Sequence, residues 1–541
     1  MIKEVFQEGT NLIVDISIYS ILFVIMGVVI YFDAKIFQKT RSKKYIRKRI
    51  VNWVILCFIK GSQYMTLISI NFLGYTYKGR RYISFSEVEF DILIIILFIS
   101  IGFFSLFFSP ILNYFKMRRI LSFICSIQCL SSFIFGTIIL KNQKSTIAHY
   151  SVYIFYLITS ISYVINELIL IKILSIWYTT RRERSVIVSI IIIGEVFKSS
   201  FGWTLNQYQF SSYLGVTSLI FTCSLILLVS TLLSFFIQIK PKNKDTIIKN
   251  DINYKIDQEE EEENNYDEEN QHLISTNVYE TINHSNNDKN EHHEHHSNDS
   301  NSHHDNDHHH SDDSNLDKSI EIEKLYSKKF ENLNFLDILK CKEIYFFSLI
   351  SFLNGFFGDS FFFWFYHTIF NVQYNHRIED PLHIFAYLTS NLSIGISTIL
   401  FLILFYFFFK NILEIGFILS FLIFLSTIIL ICLPHLIWGF WLKFLFLGIL
   451  KIFLFGLNSI IRFYSIEIGG IKYCIYIIGI FRFLFYLGES FMLLIFNESF
   501  KIDQKTYLFW RISIGFISFF IFFVFSFLFL SKKIEKRIKN L

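Results

Sequence analysis

From His149 to Tyr208 the chain reads HYSVYIFYLITSISYVINELILIKILSIWYTTRRERSVIVSIIIIGEVFKSSFGWTLNQY. Two apolar runs, about 149–177 and 185–208, flank the short stretch Trp177–Ser185, which carries Arg181, Arg182, Glu183 and Arg184. A helix crosses the hydrocarbon core of a bilayer with about 20 apolar residues. Each run is therefore long enough to span, and the basic turn between them marks one membrane face.

The same unit recurs in both directions. Before it lie segments at about 11–32, 50–74, 89–112 and 119–141, and after it one at about 213–238. A polar tract then occupies 239–342, and six more segments follow at about 343–369, 383–409, 412–433, 437–461, 473–496 and 507–530. The spacing predicts thirteen spans: one extra helix, then two sets of six. Short-loop Lys and Arg collect on the cytoplasmic face. With the span at 50–74 starting there, 22 such cations fall on that face, among them Lys43, Lys116, Arg118, Arg119, Arg182 and Lys532, against 9 on the other. The predicted fold class is all-α integral membrane. It divides into an anchor and basic linker (1–49), a first six-helix half (50–238), a disordered acidic and His-rich cytoplasmic loop (239–342), a second half (343–530) and a basic cytoplasmic tail (531–541). The first helix has no small-residue cleavage site, so it reads as a retained anchor.

Composition agrees. Of 541 residues 53% are hydrophobic and 19% aromatic, with 66 Phe; mean hydropathy is +0.45. Charged residues make up 18%, below the about 25% of soluble domains, and many sit in the central tract. This excludes a soluble enzyme, a nucleic-acid-binding domain and a disulfide scaffold. The cysteines, Cys57, Cys125, Cys129, Cys223, Cys341, Cys432 and Cys474, form no C-x-x-C and lie mostly in apolar runs. There is no Walker A loop, nucleophilic triad or phosphatase motif, so the chain reads as no enzyme and calls for no cofactor. The central tract is acidic at 257–263 and dense in His, Asn and Asp to His310. Such a segment buries no core. Imidazoles such as His292, His293, His295 and His296 are weak metal candidates. The spans hold no helical H-x-x-x-D or H-x-x-x-E pair, so no metal site is expected within them.

Two six-helix sets joined by a long loop resemble the major facilitator superfamily, whose halves enclose a midplane substrate site. The loop between the second and third core spans, Ser109-Pro110-Ile111-Leu112-Asn113-Tyr114-Phe115-Lys116-Met117-Arg118-Arg119, keeps the spacing and basic end of that family's G-x-x-x-D-R-x-G-R-R signature, with Asn113 in place of the aspartate. Trp177–Ser185 resembles the W-x-x-x-x-E-R-G run of organophosphate–phosphate antiporters and sugar-phosphate exchangers, as does Tyr486-Leu487-Gly488-Glu489-Ser490. The resemblance implies gating roles for Asn113, Arg118, Arg119, Glu183 and Arg184. The phosphate-gripping arginines of that branch, expected in its first and seventh core helices, are missing; Lys60, and Gly358 with Asp359, stand there instead.

A charge at bilayer depth costs about 2.5–3.5 kcal/mol on insertion scales, so it faces a partner or a watery cavity. Candidates for substrate binding or proton coupling are Lys60, Glu167, Lys172, Glu195, Lys198, Asp359, His367, Lys451, Arg482 and Glu489. Glu195 and Lys198, three apart, share a helix face. Glu167 and Lys172, five apart, do not. Arg462 reads as a cation snorkelling at the interface. Ion pairing between helices is the structural alternative for all of them. The expected function is secondary transport of a small polar or charged metabolite by alternating access, coupled to a proton or exchanged against phosphate. The expected partners are the lipid bilayer and the substrate, with no nucleic acid, and the expected state is a monomer. Organophosphate–phosphate exchange is the nearest alternative. A non-transporting receptor or scaffold with a metal- or partner-binding His-rich loop is the alternative from another class.

Overall fold

The computed structural model describes residues 19–35, 42–71, 87–141, 146–178, 183–184, 186–197, 213–241, 340–358, 381–408, 412–432, 437–499 and 504–539. Among them there is no strand, and the described part of each expected span is largely helical. These are α1 (19–35), α2 (Lys43–Asn71), α3 (Glu87–Tyr114), α4 (Met117–Lys141), α5 (Thr146–Trp177), α6 (186–197) and α7 (Tyr213–Ser234). The second set is α8 (Lys342–Gly355), α9 (Pro381–Phe407), α10 (Ile412–Cys432), the long helix Ile437–Ser499, and α13 (Gln504–Lys539). The long helix is broken at Gly470, whose φ of 53° places it in the left-handed region. A side chain there is strained and glycine is not, so the break separates α11 before it from α12 after it. The His-rich tract lies outside the described residues, as do Lys198, Asp359 and His367.

Eight of the described helices are long and apolar enough to cross a membrane. Many of their serines and threonines fit an environment without water because the hydroxyl bonds the carbonyl a turn earlier. Ser105 to Ile101, Thr159 to Phe155 and Thr398 to Ile394 are examples. Others join helices: Ser62 meets Ser230 at 2.7 Å and Ser122 meets Ser234 at 2.7 Å, tying α2 and α4 to α7.

Burial separates the helices by role. The apolar window of α5 is 78% buried and that of α2 72%, against 33% for α3 and α13. The polar residues of α5, Thr159, Ser162, Asn166 and Glu167, are accordingly at the centre of the bundle, while Phe103, Phe107, Phe516 and Phe523 stand out from it. The two sets meet along α3 and α12, where a Cβ on Gly479 would lie only 2.7 Å from the Ser105 carbonyl oxygen. No larger residue fits that approach.

Candidate functional site

Five charged side chains from five helices converge. Lys60 of α2 reaches Glu195 of α6 at 2.7 Å and Glu167 of α5 at 3.7 Å. Arg462 of α11 reaches both carboxylates at 3.4 Å. Arg482 of α12 pairs with Glu167 and donates to the Tyr486 hydroxyl at 2.7 Å. Lys60 is fully buried and Glu167 is 1% exposed. Gly194 permits this, since a Cβ there would come 3.3 Å from the Lys60 stem. Lys60, Glu167, Glu195 and Arg482 each lie about ten residues from the end of their span that carries the basic loops. At 1.5 Å per residue that is about 15 Å, half of a hydrocarbon core about 30 Å thick. The cluster is therefore at mid-depth, and it bridges the two six-helix sets.

Its composition has two consequences. Among the described residues, Lys60, Arg462 and Arg482 oppose Glu167 and Glu195, leaving one positive charge in excess when all five are ionised. The neighbouring amides are also incompletely used. Neither side-chain polar atom of Asn166, one residue before Glu167, has a hydrogen-bond partner among the described residues. Neither does Oε1 of Gln63, which sits one turn after Lys60. A buried polar group left unpaired costs about 1–3 kcal/mol, so such groups suit a site that receives a polar ligand.

The remaining sequence candidates fall elsewhere. Lys172 donates to the Ile471 carbonyl just past the Gly470 break. Lys451 is buried, with its ammonium 5.8 Å from the Phe455 ring centre. Glu489, 1% exposed, packs against the turn that follows α8, where a Cβ on Gly358 would lie 2.5 Å from its carboxyl carbon. Arg482 and Glu489 are thus on one helix but at different depths. Asn113 is half-buried, and Arg118 and Arg119 are exposed. Arg462 does not snorkel to the interface: its guanidinium turns inward onto two carboxylates. Sequence reading missed that role. The available signal was its place as the one cation in the stretch LFGLNSIIRFYSIEIGG, on the helix before the glycine break.

A second set of contacts closes the bundle at the end that bears the basic loops. Arg184 pairs with Glu467 of α11 at 2.9 Å. The Cys474 thiol meets the Ser175 hydroxyl at 3.6 Å, and Lys172 holds the α11–α12 turn. All three cross between the six-helix sets. With 22% and 17% of their side chains exposed, Arg184 and Glu467 form a light latch, as part-exposed pairs contribute up to about 1 kcal/mol.

Glu183, next to that latch, turns the other way. It accepts from Arg49 at 3.2 Å, and Arg49 also donates to Asp33 at 2.6 Å. Arg49 stacks 4.3 Å from the Tyr178 ring, and the Tyr178 hydroxyl donates to Asp33 at 3.0 Å. Burial, with the Asp33 charge, pushes the Tyr178 phenol well above its usual range, so it remains a donor. Asp33 was not among the sequence candidates, and a lone acid beside a run of eight cations was the only hint of it.

The family model described as Major Facilitator Superfamily matches residues 53–466. No curated protein matches the chain. Among solved structures, the chain is similar to the major facilitator superfamily transporter FucP in its outward conformation, with 9% identity, a TM-score of 0.52, and coverage of 89% of this chain and 99% of that one. It is also similar to the proton:xylose symporter XylE bound to 6-bromo-6-deoxy-D-glucose, with 12% identity, a TM-score of 0.57, and coverage of 91% and 96%.

Proposed function

The chain belongs to the major facilitator superfamily, and from that premise we propose that it is a secondary transporter for a small polar solute bearing an anionic group, working by alternating access around the mid-depth charge cluster. The observation that carries this reading is the pairing of Arg462 and Arg482 from the second half with Glu167 and Glu195 from the first. Ion pairs that cross between halves must be remade when the halves rock. A solute that competes for the arginines, or a proton that neutralises a carboxylate, acts directly on that equilibrium. One positive charge in excess favours an anion. The unpaired Nδ2 and Oδ1 of Asn166, beside Glu167 in the chain, supply a donor and an acceptor for the rest of the solute. A proton taken up by Glu195 would release Lys60 to the anion, which couples the two. The basic end is read as cytoplasmic.

Phosphate-ester exchange is the second reading, and one observation favours it. Two guanidiniums do reach the centre, from α11 and α12 rather than from the expected helices, and guanidinium forks suit phosphate. Both readings are tested by uptake into proteoliposomes of inorganic phosphate, sugar phosphates, sugars and amino acids, with and without an imposed pH gradient. Proton-driven uptake of an anion supports the first, phosphate counterflow the second. Uptake confined to neutral sugars contradicts both.

A further inference from the structure

The extra helix α1 touches both halves. Its buried stripe, Leu22, Ile25, Val29 and Asp33, recurs every three or four residues, while Phe23, Val24 and Tyr31 on its other face are exposed. Along that stripe, Ile25 presses on α9 of the second half, where a Cβ on Gly395 would lie 2.5 Å from the Ile25 Cδ1. At its end Asp33 is fully buried and held by Arg49 and Tyr178 of the first half. Arg49 in turn holds Glu183, whose neighbour Arg184 latches Glu467 of the second half.

We propose that α1 is a strap that favours the conformation closed at the basic end. The inference rests on the alternating-access reading above and adds a regulatory element to it. The physical argument is geometric. Opening the basic end moves α9 relative to the α2 and α5 ends, and a single rigid helix cannot keep Ile25 on Gly395 and Asp33 on Arg49 through that motion. One contact must be released. The Asp33 end is the costlier to release, because Asp33 and Arg49 are both buried and removal of one partner strands the other. Asp33 also orients Arg49, which positions Glu183 beside the latch, so its loss weakens closure at both places. Asp33 is thus a positioning residue for the gate.

Native Cys474 reports the state. It is buried where the halves meet at the basic end, against Ser175. Its alkylation by maleimide in the purified full chain, followed on its own peptide by mass spectrometry, tracks the open population. Asp33→Asn and, separately, Ile25→Ala should each raise that rate at least tenfold, a shift of about 1.4 kcal/mol. Ile25→Ala keeps the ion pairs, so it serves where Asp33→Asn folds poorly. Gly479→Leu, a wedge between α3 and α12, is the reference for opening. If the wedge raises the Cys474 rate and neither α1 variant does, the strap is overturned while alternating access stands. If the wedge leaves Cys474 unreactive as well, both fall together.

Discussion

Consider Glu195. Lys60 lies 2.7 Å from it with no exposure. At an effective dielectric constant of about 20 the pair is worth about 6 kcal/mol before desolvation is subtracted. Removing one partner of a buried pair costs about 3–5 kcal/mol, because the other charge is stranded. Among the described residues Glu195→Gln leaves Lys60 with Glu167 alone, at 3.7 Å, and raises the cluster's excess positive charge by one. We expect a loss near 3 kcal/mol, the low end of that range, seen as a lower thermal midpoint in detergent. Lys60→Met with Glu195→Leu removes both charges and preserves the charge balance. Apolar replacement of a whole buried pair is often neutral or stabilising, so the double variant should recover the midpoint. Its uptake in proteoliposomes should stay abolished. Wild-type uptake by the double variant would refute the reasoning, since the pair would then serve stability alone. A wild-type midpoint for Glu195→Gln would refute the electrostatic half.

Three further outcomes are expected. Asn52→Ala removes both bonds to Gln238, at 2.8 and 2.9 Å, and should lower stability by about 1–3 kcal/mol in a denaturation series, with uptake retained at low temperature. Gly470→Ala should cost about 1–3 kcal/mol, because φ 53° with ψ −161° is a backbone region essentially restricted to glycine; the thermal midpoint reads it. Deleting 250–320 should leave uptake unchanged in proteoliposomes, whereas a loop-based metal sensor would lose its response.

Span-level architecture was legible because twenty-residue apolar runs carry a strong signal. Trp177–Ser185 and Tyr486–Ser490 marked the family by position, although Asn113 stands where an aspartate was expected. The site was only half legible. Lys60, Glu167, Glu195 and Arg482 are visible as charges in apolar helices, but which charge meets which depends on helix rotation and crossing, which one sequence does not encode pairwise. Glu195 meets Lys60 and Arg462, two long side chains from other helices that its own helix does not announce; Lys198, expected on the same face, lies outside the described residues. Arg462 sits nearer the helix end than the rest, which suggested snorkelling; the buried carboxylates pull it inward. Asp33 was masked by its basic surroundings, where a single acid looks like a solvated charge.

The central claim is that the mid-depth cluster binds an anionic solute. Thermal stabilisation of the purified chain against inorganic phosphate, sugar phosphates, sugars, amino acids, nucleosides and Zn²⁺ tests it most directly. A ligand bound only by the native state adds RT ln(1 + [L]/Kd), about 2.7 kcal/mol at a hundredfold excess over Kd. The account predicts that an anionic solute stabilises the wild type and that Arg482→Met removes the effect. Stabilisation by a neutral sugar alone, or an anion effect that survives Arg482→Met, would contradict it.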